Sequence, residues 1–290
     1  MTKAIRNIFA ILVVVVLLLS AKTTAKAESN CRIESESISK GTFCTDAGIL
    51  QTMLNRLLDI NEIVDGAINN TTVRNLIEFQ EMNGLEPTGQ ADKETISMLN
   101  QRYYEIERQP KVIVISSEPV DVKEGPDENY SSIGEIENGR VCVLLKWTRS
   151  WAQIKCGTEI GWIKSNLLRS TFIKIDIEKQ SILFVKECKE IAYAPVITGC
   201  EFQGWDTPKG NYEVSYLEGN CFITDSTHVN FWMKISKSLN VGIHDANGWR
   251  VQYGGTIYKS NGSHGCINTP DSAARKIYAE IELGMTIVIQ

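Results

Sequence analysis

The 290-residue chain predicts a multidomain protein: a small three-helix bundle, a small all-β barrel, and then a mostly β domain with a helix after Cys266. Three observations lead there. The length exceeds what one ordinary domain holds. Apolar residues recur with a helical period from Asp46 to about residue 104 and with a period of two beyond Pro110. Thr269-Pro270-Asp271 is a helix start set among strand-like stretches: a cap, proline at the first position and an acid at the positive end of the dipole.

Composition fits a globular chain, 43% hydrophobic and 22% charged. Net charge is −5, but Lys3, Arg6, Lys22 and Lys26 stand in the first 27 residues, which contain no acid. The remainder holds 26 basic against 35 acidic residues, net −9. An acidic body without a Lys/Arg stripe argues against nucleic acid as a partner.

Residues 1–27 read as a secretory signal. Lys3 and Arg6 form the basic start, Ile8 to Leu19 is an unbroken apolar run of twelve, and Ala25-Lys26-Ala27 offers a cleavage site. The alternative is an uncleaved anchor helix, the one route to a membrane, although the run falls short of the ~20 residues a span needs. Either reading places the body outside the cytoplasm. Residues 28–45 look like a loop. From 46 to 104 three helices are expected. Leu50, Met53, Leu54, Leu57 and Leu58 form one apolar stripe; Thr71 or Thr72 caps a second helix carrying Val73, Leu76, Ile77 and Phe79; Asp92 caps a third carrying Ile96 and Leu99. Residues 101–110 form a linker. From 111 to 169, short strands marked by Val112, Val120, Val141, Ile154 and Ile163 predict the barrel. Trp147, Trp151 and Trp162 can line a groove or pack inside. From 171 to 290, Phe172-Ile173-Lys174-Ile175-Asp176-Ile177 opens the last domain, and Met285 to Ile289 closes it with a strand.

Eight cysteines in an exported chain point to disulfides. Cys142 and Cys156 lie symmetrically about Arg149, so a hairpin turning there sets them opposite each other. Neighbour pairing adds Cys31–Cys44 and Cys200–Cys221 and leaves Cys188 single, with Cys266 free; an all-thiol chain is the alternative.

The chemistry gathers at Ser263-His264-Gly265-Cys266-Ile267-Asn268. A free thiol of pKa ~8.5 needs a base to act as a nucleophile at neutral pH. The chain has three histidines, and two of them, His244 and His264, lie within 23 residues of Cys266. A metal site on His244, His264 and Cys266 is the rival reading, without Cys-x-x-Cys or His-x-x-x-His spacing to support it. His228 reads as a surface or structural residue.

Gly242-Ile243-His244-Asp245, Tyr253-Gly254-Gly255 and Ser263 to Asn268 together resemble the catalytic signature of the bacterial L,D-transpeptidases, over roughly residues 171–290. Thr207-Pro208-Lys209-Gly210 resembles a turn of the same domain. Val64 to Ala67, Phe79-Gln80, Asn83-Gly84-Leu85 and Thr88-Gly89 resemble a peptidoglycan-binding domain with three helices, and residues 111–169 resemble a bacterial Src-homology-3-like domain. The resemblance implies Cys266 as nucleophile and His244 as proton acceptor and donor, with no cofactor and no metal. It gives Ser263, His264, Gly265 and Asn268 supporting or oxyanion roles. Trp249, Tyr253 and Tyr258 lie between the catalytic pair and either touch substrate or pack. The implied partners are peptidoglycan stem peptides and glycan, the implied location is the cell wall, and the implied reaction cross-links stems. Trimming of stems by water and a non-catalytic wall-binding scaffold are the alternatives.

Overall fold

A computed structural model describes residues 31–290, so the expected signal segment lies outside the described residues. Three helices come first: α1 (Thr45–Leu57), α2 (Asn70–Met82) and α3 (Lys93–Glu107), with the two-residue strand β1 (Ile63–Val64) between α1 and α2. Leu50, Met53, Leu54, Leu76, Phe79 and Leu99 close a common core, as their spacing requires. The third cap is Asp92, whose carboxylate accepts from Thr95 N–H at 2.8 Å. The second is Asn69 rather than Thr71 or Thr72, since its Oδ1 accepts from both of their amides. Asn outranks Thr at this position, and the two threonines fall inside the first turn.

Next come β2 (Lys111–Val114), β3 (Val120–Lys123), β4 (Ser132–Ile136), β5 (Val141–Trp147), β6 (Trp151–Cys156), β7 (Glu159–Lys164) and β8 (Leu168–Arg169). They form one antiparallel sheet in the order β4-β3-β7-β6-β5-β2-β8. Where a barrel was expected, the described residues show this linear order without pairing between its two end strands. Trp162 is buried, Trp151 half-buried and Trp147 exposed.

The remainder holds two sheets. One is ordered β11-β10-β9-β18-β12, from β9 (Phe172–Asp176), β10 (Ser181–Lys186), β11 (Lys189–Pro195), β12 (Gly210–Glu213) and β18 (Thr286–Ile289). The other is β13-β14-β15-β17, from β13 (Tyr216–Phe222), β14 (His228–Lys234), β15 (Gly242–Asp245) and β17 (Ile267–Thr269). Ile173, Phe184 and Ile287 from the first sheet and Met233, Ile243 and Ile267 from the second share one core with Ile277 of α5 (Asp271–Glu280). Pro270 occupies the cap of α5 itself, one position before the place the sequence predicted. Between β15 and β17 the chain makes β16 (Tyr253–Gly254) and the short helix α4 (Ile257–Asn261). Among the described residues no helix is long and apolar enough to cross a membrane.

One of the three neighbour disulfides forms. Cys142 and Cys156 are bonded across the β5–β6 hairpin. Cys44 is a free thiol whose sulfur accepts from Ala47 N–H and caps α1, so it does not join Cys31. Cys200 and Cys221 are free and serve different elements. Cys200 donates its amide to Ser263 O at 2.8 Å, whereas Cys221 pairs with Val229 in the β13–β14 ladder.

The helices are tied to the sheets by buried charge. Arg56 of α1 gives two hydrogen bonds of 2.6 Å to Glu190 of β11. Lys111 of β2 reaches the same carboxylate at 3.1 Å and donates to the Ile106, Glu107 and Gln109 carbonyls behind α3. Tyr103 and Tyr193 stack on the guanidinium at 5.1 and 4.2 Å. The Glu190 side chain is only 2% exposed. Burial opposes charge on both cations. It pushes Lys111 down, whereas for Arg56 the Glu190 hydrogen bonds outweigh it. Glu190→Gln leaves two buried cations short of their counter-charge. It is expected to lower unfolding free energy by about 3–5 kcal/mol in a urea titration; a loss below ~1 kcal/mol would show that the cluster contributes little.

Candidate active site

Strand alternation decides which side chains meet. Met233, Ile243 and Ile267 stand in one cross-strand row and face the core. The adjoining row, Trp232, His244 and Asn268, therefore points to the other face. The parallel β15–β17 register, continued by one residue, sets Cys266 beside Gly242. Cys266 itself stands just before β17, and its side chain packs against the cluster of Trp232, the cross-strand neighbour of His244.

His244 is buried, and its Nδ1 lies 2.7 Å from the Asp245 carbonyl oxygen. A carbonyl only accepts, so Nδ1 carries the proton and Nε2 keeps its lone pair. Burial pushes the imidazole pKa down from 6.5, against the Asp245 hydrogen bond and charge. The Asp245 carboxylate does not point at the ring's proton. It accepts from the Asn230 and Phe231 backbone amides at 2.8 and 2.9 Å and from Asn230 Nδ2 at 3.2 Å, which fixes the β14 backbone beside the site. Trp232 and Trp249 flank the imidazole, with ring centres 5.8 and 6.2 Å away.

Burial pushes the Cys266 thiol above its ordinary 9.0, opposed by the Gly242 backbone amide. Burial thus disfavours charge on both groups.

The loop ahead of Cys266 is held from within. Ser263 Oγ donates to the Cys266 carbonyl at 2.6 Å and accepts from Gly265 N–H at 3.0 Å. Gly265 sits at φ +109°, where a side chain is strained. Its amide, expected among the oxyanion donors, is already given to Ser263. Thr207 Oγ1 donates to Gly265 O and accepts from Gly199 N–H, both at 2.8 Å, so the Thr207-Pro208 turn underpins the loop. The His264 ring stacks on Trp205, with ring centres 3.8 Å apart. Asn268 lies in register with His244 and exchanges backbone bonds of 2.9 and 3.0 Å with Ile197; its buried Oδ1 has no hydrogen-bond partner. Tyr253 is buried in β16, Tyr258 is partly buried on α4, and Trp249 is 46% exposed at the site's edge. His228 is exposed, against Asn220 at 3.0 Å and Phe222. Among the described residues no three His, Cys, Asp or Glu side chains gather as a metal site requires. Sequence reasoning singled out neither Trp205 nor the bridging residues Ile197 and Gly199. They meet the loop only through the fold, and nothing local marks them.

Residues 170–289 match the YkuD family, described as the L,D-transpeptidase catalytic domain. Residues 45–99 match a family described as "Putative peptidoglycan binding domain". The catalytic domain of an E. faecium L,D-transpeptidase, solved by NMR, is 33% identical over 41% of this chain and 96% of its own, with a TM-score of 0.37. This chain belongs to the L,D-transpeptidase family. A crystal structure of the Enterococcus faecium L,D-transpeptidase is 20% identical over 85% of this chain and 90% of its own, with a TM-score of 0.41. An L,D-transpeptidase from Stackebrandtia nassauensis is 17% identical over 88% and 96%, with a TM-score of 0.38. No curated protein matches.

In this L,D-transpeptidase the alkylation rate of Cys266 by iodoacetamide, followed by mass spectrometry of its peptide, should keep rising with pH past 9.0. A plateau reached near neutral pH would instead reveal a preformed ion pair with His244.

Proposed function

We propose that this chain is an exported peptidoglycan L,D-transpeptidase that works by acyl transfer through a thioester on Cys266. The observation that carries this reading is Cys266 at the entry to β17, packed against the Trp232 cluster beside the face of β15 that carries His244, with the Asp245 carbonyl leaving His244 Nε2 free to take the thiol proton. The donor is a stem tetrapeptide. As the Cys266 sulfur attacks the third residue's carbonyl, its proton passes to Nε2. The C–N bond then breaks, and the departing D-Ala amine takes that proton. An amine of a neighbouring stem next gives a proton to His244 and attacks the thioester. An amide forms and the thiol is restored. With Gly265 N–H held by Ser263, the Cys266 amide is the nearer candidate for the oxyanion. Ser263, His264 and Gly265 shape the loop, and Asn268 holds it or meets substrate. The helices bind wall glycan, and residues 111–169, a Src-homology-3-like unit in this reading, space the helices from the catalytic domain.

Mass spectrometry of the enzyme with purified stem tetrapeptide tests this. An acyl adduct on Cys266 that loses D-Ala, followed by cross-linked dimer, is expected; Cys266→Ala should give neither and should still bind sacculi. Tripeptide without dimer would mean trimming by water, and turnover by Cys266→Ala would end the proposal. Because burial holds the His244 pKa below 6.5, the base form is present above that value and is lost as pH falls through the lowered pKa. The acid limb of kcat/KM should therefore lie below pH 6.5. A limb above 7 would point to another base.

A further inference from the structure

We propose that the helical region is part of the catalytic apparatus: Asn61 is a positioning residue that holds the segment joining His244 to Cys266. This rests on the transpeptidase reading above. The segment, residues 246–262, leaves the sheet after β15 and returns at β17, so it sets the surroundings of both groups. Among the described residues, its strand β16 has one strand partner, and that partner is β1 of the helical region. Ile63 pairs with Gly254 and Val64 with Tyr253.

Asn61 closes this contact with its whole amide. Its Oδ1 accepts from Gly255 N–H at 2.7 Å, and its Nδ2 donates to Gly255 O at 3.1 Å and to Glu178 O at 2.8 Å. One side chain therefore clamps the segment's backbone in both directions and anchors it to the turn between β9 and β10. Lys179 in that turn pairs with Asp59 at 3.3 Å, and the Arg56–Glu190 pair lies one turn back along α1. The glycines fit the same contact. Gly254 and Gly255 have φ of +73° and +59°. A Cβ on Gly254 would stand 3.0 Å from Glu62 O, and one on Gly255 would stand 2.5 Å from Ile63 Cγ1. Tyr253-Gly254-Gly255 is thus the seat on which the helical region rests. Wall binding alone requires none of these bonds.

The test measures turnover of a free stem tetrapeptide, which has no glycan for the helical region to hold. Wild-type turnover is the control; if it is absent, the transpeptidase reading has failed and Asn61 is not at issue. Asn61→Ala is expected to lower kcat/KM roughly ten- to a hundred-fold. It should also speed amide hydrogen exchange at Gly254 and Gly255, with iodoacetamide alkylation of Cys266 and binding to sacculi unchanged. Gly255→Ala, which forces the contact apart from the other side, should do the same. Asn61→Gln should recover part of the loss. Both variants turning over the free peptide at the wild-type rate, whatever they do to sacculus binding, would overturn the proposal. So would a loss of turnover matched by an equal loss of thermal stability without faster exchange confined to residues 246–262.

Discussion

The parallel pairing of β15 with β17 is the constraint from which the site follows. It fixes Ile243 and Ile267 in the core and thereby sends His244 and Asn268 to the opposite face, where Cys266, just before β17, packs against the Trp232 cluster. A one-residue slip in that register would invert every one of these side chains. The core holds the register, because Met233, Ile243 and Ile267 form a row that is wholly buried. The same apolar burial that stabilises the domain therefore also aligns the chemistry.

Much of this was legible in the sequence, and the parts that were not share a cause. The stripe of Leu50, Met53 and Leu54, the cap at Asp92 and the symmetric pair Cys142 and Cys156 are local patterns, and local patterns translate directly into structure. His244 and Cys266 stand out in the sequence because their motif is itself compact. Cys44 was misread as half of a staple because a cysteine can also cap a helix through its sulfur, and spacing does not distinguish the two. The cap at Asn69 was passed over for the adjacent threonines, which offer the same kind of oxygen one turn too late. Arg56, Asn61, Glu190 and Trp205 carried no local signal. Their partners are remote in the chain, as in the Arg56–Glu190 bond across 134 positions, and only the assembled fold brings them together.

Charge is handled in opposite ways at two buried places. Around Glu190 the protein gathers two cations on one buried carboxylate, with Arg56 giving it two hydrogen bonds and Lys111 reaching it at 3.1 Å. At His244 and Cys266 burial works against charge on both groups. The first arrangement is structural and stays fixed, with tyrosine rings packed on its guanidinium. In the second, the Nδ1 hydrogen bond to the Asp245 carbonyl fixes the tautomer of the ring.

The long sequence gap between Arg56 and Glu190 also has a bearing on the order of assembly. A chain emerging from its N-terminus presents the helices early, with the guanidinium and the Asn61 amide facing water. Their acceptors, Glu190 and Gly255, are made much later. Closing such distant contacts is slow compared with forming a local helix bundle. The helices can therefore settle first and wait as a template, against which the last third of the polypeptide completes itself.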